Sequence, residues 1–371
     1  MAAALTSIAI GITWDISWHQ SIGRDTFWTP AHMAIYLGGV LAGFAGGWLA
    51  LRCTFFPRPD DRESSVSVFG ARAPLGAWVA MWGALAMITS APFDDWWHNA
   101  YGLDVKIISP PHAVLGLGMF AISVGAMLLV LARQNRLQDV APTKGSGLFI
   151  YTGGIFILTS SVFLLEYIWP NQQHTARFFF VCALTYPARL VALSCAGRIS
   201  WPATRVAAVY MGFFCAINWI LTLFPATPLL APIFNPVTHM VALPFPLLLI
   251  VPGIAIDLLL RRAGDTAGAA RLIGLSIALG AAFFAVFGLV QWYFAELLLS
   301  PYGQNWFFMS DRIWSYSSRP GEWRMQFWGD TPRASAPGPL SLVAIGVIWA
   351  VASAGSVIGL FFGRWMRKVR R

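Results

Sequence analysis

Apolar runs of about twenty residues recur from one end of the chain to the other, separated by short stretches rich in polar residues, glycine or proline. A helix of about that length crosses the hydrocarbon core of a bilayer. The pattern predicts ten such helices, near residues 3–19, 31–55, 74–96, 111–132, 147–169, 175–196, 202–224, 236–260, 270–298 and 338–362. The first holds Asp15 and His19, and no basic residue precedes its apolar run as one would in a signal peptide, so it is expected to be retained. The expected fold class is an all-α integral membrane protein, about ten transmembrane helices arranged as hairpins.

Composition supports this and excludes a soluble domain of ordinary make-up. Hydrophobic residues are 57% of 371 and charged residues 11%, against about 25% charged in a typical soluble domain. The net charge of +9 would suit a nucleic-acid binder, but its distribution points elsewhere. Alternate loops (52–72, 133–144, 198–205, 261–271) hold 12 Lys or Arg, and the closing "RWMRKVRR" holds five more. The short opposite loops hold only Arg24, Lys106 and Arg177. This asymmetry is the positive-inside pattern, which puts both termini in the cytoplasm and the tail against anionic lipid. No basic patch interleaved with aromatics lies outside the membrane flanks, so no nucleic-acid partner is expected. Cys53, Cys182, Cys195 and Cys215 form no CxxC and read as small buried thiols.

Polar chemistry gathers on one side of the pattern. His19, His32, His98, His112, His174 and His239 all fall on the half of the spans opposite the basic loops. The loop over 300–337 lies on the same side; rich in Trp, Phe, Arg and Gly, it reads as an interfacial aromatic belt or as a lid.

The first two hairpins repeat each other. "DISWH" at 15–19 answers "DDWWH" at 94–98; Gly23 and Asp25 follow His19 at the offsets at which Gly102 and Asp104 follow His98; "TPAH" ends at His32 and "SPPH" at His112. The two units are D-x3-H-x12-H and D-x3-H-x13-H. Residues four apart share a helix face, so Asp15 with His19, and Asp94 with His98, can grip one ion. The intervening glycines let the chain turn back, and Pro30 and Pro110 suit the first turn of the returning helix, which brings His32 and His112 opposite the first ligands. Two imidazoles and one carboxylate suit copper, iron or zinc with open coordination positions. The same groups would also serve a proton relay.

Asp25, Asp104 and Arg24 are candidates for the surrounding shell, since a ligating histidine usually donates its second N–H to a carboxylate or carbonyl. Trp14, Trp18, Trp28, Trp96 and Trp97 fit either a dry aromatic wall or an interfacial belt. His174, His239, Glu166 and Glu296 read as packing or interfacial residues more than as parts of a pocket.

The stretch "DISWHQSIGRDTFWTPAH" resembles the ligand hairpin of the C subunit of the copper membrane monooxygenases, the particulate methane and ammonia monooxygenase family, through Trp18-His19-Gln20, Arg24-Asp25-Thr26 and Thr29-Pro30-Ala31-His32. The resemblance implies that Asp15, His19 and His32 bind one copper. It implies that Asp94, His98 and His112 hold a second metal, with Asp94 standing where that family has Asn. It covers about residues 10–130; the six later spans have no counterpart in that subunit, and the soluble copper domain of the family's B subunit is missing.

The expected organisation is therefore a four-helix metal-binding region at 1–140 and a six-helix region at 141–371. By the resemblance, both ligand sets would be catalytic, activating O2 against a small apolar or weakly polar substrate that enters through the bilayer, within a homo- or hetero-oligomer. The expected setting is a bacterial-type inner membrane, with the metal sites toward its outer side. The alternative function is a non-catalytic copper-binding or transport protein, or an accessory subunit of a membrane oxidase.

Overall fold

A computed structural model describes residues 1–102, 109–137, 145–264, 268–327 and 340–371. The helices are α1 (Ala2–Ser21), α2 (Pro30–Phe55), the one-turn α3 (Asp61–Ser64), α4 (Leu75–Tyr101), α5 (Pro110–Arg136), α6 (Ser146–Val162), α7 (Ala176–Ala196), α8 (Pro202–Leu221), α9 (Ile250–Ala263), α10 (Ala269–Leu299) and α11 (Leu342–Met366). A small hairpin of β1 (Val66–Val68) and β2 (Ala71–Ala73) is the sheet found among the described residues. Seven helices, α2, α4, α5, α7, α8, α10 and α11, are long and apolar enough to cross a membrane. The chain is a mostly helical, multi-pass membrane protein by these criteria. The 20-residue α1 matches them in length but carries Asp15, Ser17, His19 and Gln20, and α6 is a shorter apolar helix of 17 residues.

The chain divides into two compact units. The first comprises Met1–Asp15, Asp25–Phe163 and Met366–Arg371; the second comprises Ile16–Arg24 and Leu164–Trp365. α6 thus belongs with the first unit.

Glycine sets the packing of the first unit. A Cβ at Gly38 of α2 would lie 2.9 Å from the Ala4 carbonyl of α1, and one at Gly11 would lie 2.7 Å from the Ile35 nitrogen. In the α4–α5 pair, a Cβ at Gly118 would lie 2.7 Å from the Gly83 carbonyl, and one at Gly125 would lie 2.6 Å from that of Gly76. Both hairpins are therefore antiparallel pairs in near backbone contact, the arrangement small residues allow where lipid offers no hydrophobic drive for helix association. α2 also packs antiparallel on α4, with Gly39 against Met87, Gly43 against Ala84 and Gly46 against Met81. Continuing that register toward the start of α2 sets His32 level with Asp94. At the other end, Arg52 grips Asp61 through two bonds of 2.9 and 3.0 Å, which holds the Asp61 carboxyl below the usual carboxylate range.

The second unit departs from the expected helix over 236–260. The chain from Phe224 to Leu249 is not helical, although Met240 to Leu247 is buried throughout. Pro244 and Pro246 explain this: two prolines one residue apart remove two amide donors and exclude a helix. Buried extended backbone is tolerated at membrane depth only where protein satisfies its polar groups. Here Val241 N donates to Ser21 Oγ (2.7 Å), Leu243 N to Asn218 Oδ1 (2.9 Å), Leu247 N to the Tyr210 hydroxyl (3.2 Å) and Leu248 N to Gln291 Oε1 (3.0 Å). The Ala242 amide donates to the Arg312 carbonyl (3.0 Å). Left unpaired, each such donor would cost about 1–3 kcal/mol. Asn218 and Tyr210 show that this strip runs antiparallel along α8.

The strip ends in α9, whose 14 residues span about 21 Å at 1.5 Å each. Asp257 of α9 then reaches the start of α8, accepting from Ala203 N (3.2 Å), Thr204 N (2.9 Å), Thr204 Oγ1 (2.7 Å) and Ser194 Oγ (2.5 Å). It serves as an N-terminal cap supplied by another helix, which gives this carboxylate, 1% exposed, a structural role.

Candidate metal centre

Each ligand cluster is assembled by a helix end, a glycine turn and a proline-started return helix. In the first hairpin α1 runs unbroken past Asp15 to Ser21, so the helix itself places His19 one turn beyond Asp15. The chain then reverses at Gly23 with φ of +85°, a left-handed conformation that glycine adopts without steric cost. Trp18 Nε1 donates to the Arg24 carbonyl (2.9 Å) and Thr26 N to Thr29 Oγ1 (2.8 Å), which fixes the turn from both sides. Pro30 opens α2, and His32 follows in its first turn.

The His32 ring is locked by its two nitrogens. Nδ1 lies 2.9 Å from the Thr26 carbonyl. A carbonyl only accepts, so Nδ1 carries the proton and donates. That leaves Nε2 facing Asp15 Oδ1 at 3.0 Å and Asp25 Oδ2 at 3.4 Å. Ligand atoms of Asp15, His19 and His32 all lie within 4.8 Å of one another, with His19 the exposed member.

The second hairpin repeats the plan. Gly102 ends α4 with φ of +86°, the counterpart of Gly23. Ser109 Oγ accepts from His112 N (3.4 Å) to cap α5, which Pro110 opens. His98 Nδ1 lies 3.2 Å from the Gly102 carbonyl and donates to it for the same reason as His32. Asp94 faces both imidazoles, Oδ2 at 3.5 Å from His98 Nε2 and Oδ1 at 3.4 Å from His112 Nε2. Ligand atoms of Asp94, His98 and His112 again fall within 4.8 Å of one another.

The Asp15–His32 pair at 3.0 Å and the Asp94–His112 pair at 3.4 Å are spaced as two ligands of one ion would be. Two ligands each about 2.0–2.1 Å from a metal, at angles between square and tetrahedral, stand about 2.8–3.4 Å apart. The carbonyl bonds at His32 and His98 supply the second contact that orients a ligating imidazole and leaves its other nitrogen available. Among the described residues these are the two groups of three His, Cys, Asp or Glu side chains that meet this proximity.

Of the surrounding residues, Asp25 lies against the His32 ring, closer than a purely peripheral role requires. Arg24 contributes its backbone carbonyl to Trp18. Asp104 lies outside the described residues. Trp28 and Trp96 are 71% and 54% exposed, which places them on the surface and outside any dry wall. His174 is stacked between Trp292 and Phe327, ring centroids 3.7 and 3.5 Å away, with Nε2 at 3.0 Å from the Trp292 carbonyl. Burial pushes its pKa down, and it acts as a packing element. His239 Nδ1 meets the Thr238 hydroxyl at 3.0 Å, and its backbone bridges to Pro225.

Sequence reasoning missed Tyr36. It stands one helical turn after His32, ring centroids 6.1 Å apart. Spacing four residues beyond His32 was the available signal. Compared with protein-family models, curated proteins and solved structures, the chain matches none.

Proposed function

We propose that this chain is a copper-dependent membrane monooxygenase, or the metal-holding subunit of one, acting on a small apolar or weakly polar substrate. The observation that carries the reading is the doubled Asp/His/His cluster, with His32 and His98 each locked by a carbonyl at Nδ1. Such ligand sets accept copper, zinc or iron; copper is preferred through the likeness of residues 15–32 to the monooxygenase C subunit. Asp15, His19 and His32 would hold one ion, and Asp94, His98 and His112 a second. Bound there, copper would supply the one-electron chemistry with O2 that side chains lack.

The chain's own residues then have defined tasks. The Thr26 and Gly102 carbonyls orient the imidazoles, and Asp25, with Oδ2 at 3.4 Å from His32 Nε2, helps to position that ring. A substrate of low polarity would arrive laterally from the bilayer. The basic loops and tail support cytoplasmic termini, which would turn the clusters toward the outer face of a bacterial-type inner membrane. Counting α1, α6 and the strip leading into α9 with the seven spanning helices would give ten crossings. Assembly with further subunits, or with copies of itself, follows from the same likeness.

A second reading rests on the 3.0 Å separation of His32 Nε2 and Asp15, which also suits a shared proton and hence a proton relay. Metal analysis and copper EPR on the purified protein separate the two. Stoichiometric copper that is lowered by His19→Ala and by His98→Ala supports the metal centre; no stoichiometric copper, zinc or iron overturns it. O2 uptake with a supplied reductant then tests catalysis, and a flat trace across alkanes, alkenes and ammonia would favour a copper carrier or accessory subunit.

A further inference from the structure

We infer that Tyr316, in the loop after α10, is a positioning residue for the first ligand cluster. This rests on the metal-centre reading and extends it to a residue some three hundred positions away in sequence. The stretch Ile16–Arg24 belongs to the second unit together with this loop. Tyr316 meets it at two points and is itself anchored at a third. Its amide donates to the Gln20 carbonyl (3.0 Å), one residue past His19. Its ring lies over Gly23, where an added Cβ would lie 2.7 Å from Cζ and 2.9 Å from Cε1. Its carbonyl accepts from the amides of Phe234 and Asn235, both at 2.9 Å, which ties the clamp to the strand-like chain before Met240. Leu229 N closes the arrangement by donating to the Ile22 carbonyl (2.9 Å).

The last turn of α1 needs such support. A helix C-terminus leaves carbonyls without intrahelical partners, and these ends fray unless something outside the helix accepts the task. The Gln20 carbonyl is one of these groups and the loop supplies its donor from Tyr316, while the Ile22 carbonyl just beyond the helix is met by Leu229 of the chain before α9. Fraying there would move His19 away from Asp15, because the helical turn holds them on one face. The loop is itself braced: Asn235 Nδ2 donates to the Trp314 carbonyl (2.9 Å), and the Arg324 guanidinium stands 5.3 Å from the Trp314 ring centroid. The second cluster has no equivalent among the described residues. A Cβ at Gly102 would meet nothing within 4 Å.

The test is copper affinity at each cluster, by chelator competition with Cu(II) EPR, on full-length protein. A His98→Ala background isolates the first cluster, and a His19→Ala background isolates the second. Tyr316→Ala should weaken the first by about tenfold or more, the usual effect of losing a group that orients a ligand, and broaden its EPR spectrum while leaving the second unchanged. Tyr316→Phe, which keeps the ring and backbone contacts, should restore the original spectrum. Gly23→Ala, which puts a methyl into the Tyr316 ring, should reproduce the selective loss, so it carries the test if Tyr316→Ala does not fold. Equal loss at both clusters, or none at either, overturns the clamp. If the parent protein binds no copper, zinc or iron, the metal-centre reading falls instead.

Discussion

The two Asp/His/His hairpins share residue types, a spacing that differs by one residue and a left-handed glycine turn, yet a carbonyl locks His32 after the turn in the first and His98 before it in the second, and their surroundings differ. In the first, the paired Asp15 and His32 side chains are each 15% exposed, and a second carboxylate, Asp25, faces the same nitrogen. In the second, Asp94 and His112 are 25% and 32% exposed, and Asp94 is shared between two imidazoles. The first is held through Tyr316; the second depends on the glycine seam of α4 and α5. The same three residue types recur in the two clusters with different surroundings, so the two should fail for different reasons.

Removing the shared carboxylate should have the largest effect. Asp94→Ala takes away the group both His98 and His112 face, and is expected to abolish metal at the second cluster while the first retains it, measured as copper per chain. Next is the seam itself. Gly118→Leu forces a side chain into the Gly83 carbonyl and should destabilise the protein by about 1–3 kcal/mol, as overpacking does. Thermal unfolding in detergent would register that loss, and metal affinity should fall at the second cluster alone. An equal fall at both would mean that the hairpins are one cooperative body.

A smaller effect is expected from Asp25→Asn. If Asp25 tunes the first cluster, affinity there should drop about tenfold, with no change at the second. Smallest is the Arg52–Asp61 pair at the far end of α2. Asp61 titrates below its unfolded value, so its contribution is present at neutral pH and disappears as pH falls through the lowered pKa. Asp61→Asn should cost under about 1 kcal/mol near pH 7, remove that part of the acid dependence, and leave both clusters as they were.

Much of this was legible in the sequence for simple physical reasons. Membrane helices advertise themselves by length and hydropathy: nine of the ten expected segments coincide with helices, and seven of those are long and apolar enough to cross a membrane. The meeting of Asp, His and His in each hairpin was legible because i, i+4 pairing and a glycine–proline return are local geometry. What stayed hidden was tertiary. Nothing near Gly23 announces that Tyr316 covers it, and Asp25 could be placed beside His32 only once the turn was seen. The strip before α9 was misread because its apolar run looks helical by hydropathy, although Pro244 and Pro246 were there to argue against it. For Trp28 and Trp96 the sequence left a wall and an interfacial belt open, since aromatic content alone cannot tell them apart, and their exposure favours the belt.

That proline-broken strip bears on how the protein is made. A spanning helix satisfies its own backbone and can enter a bilayer on its own. Met240–Leu248 cannot, because its amides are met by Ser21, Asn218, Tyr210 and Gln291, which lie on α1, α8 and α10. Gln291 is synthesised after the strip it serves. Arg312, whose carbonyl meets the Ala242 amide, also follows the strip, so two of its amides gain their native partners only after α10 and the loop beyond it have been made, whereas the acceptors on α1 and α8 are already in place.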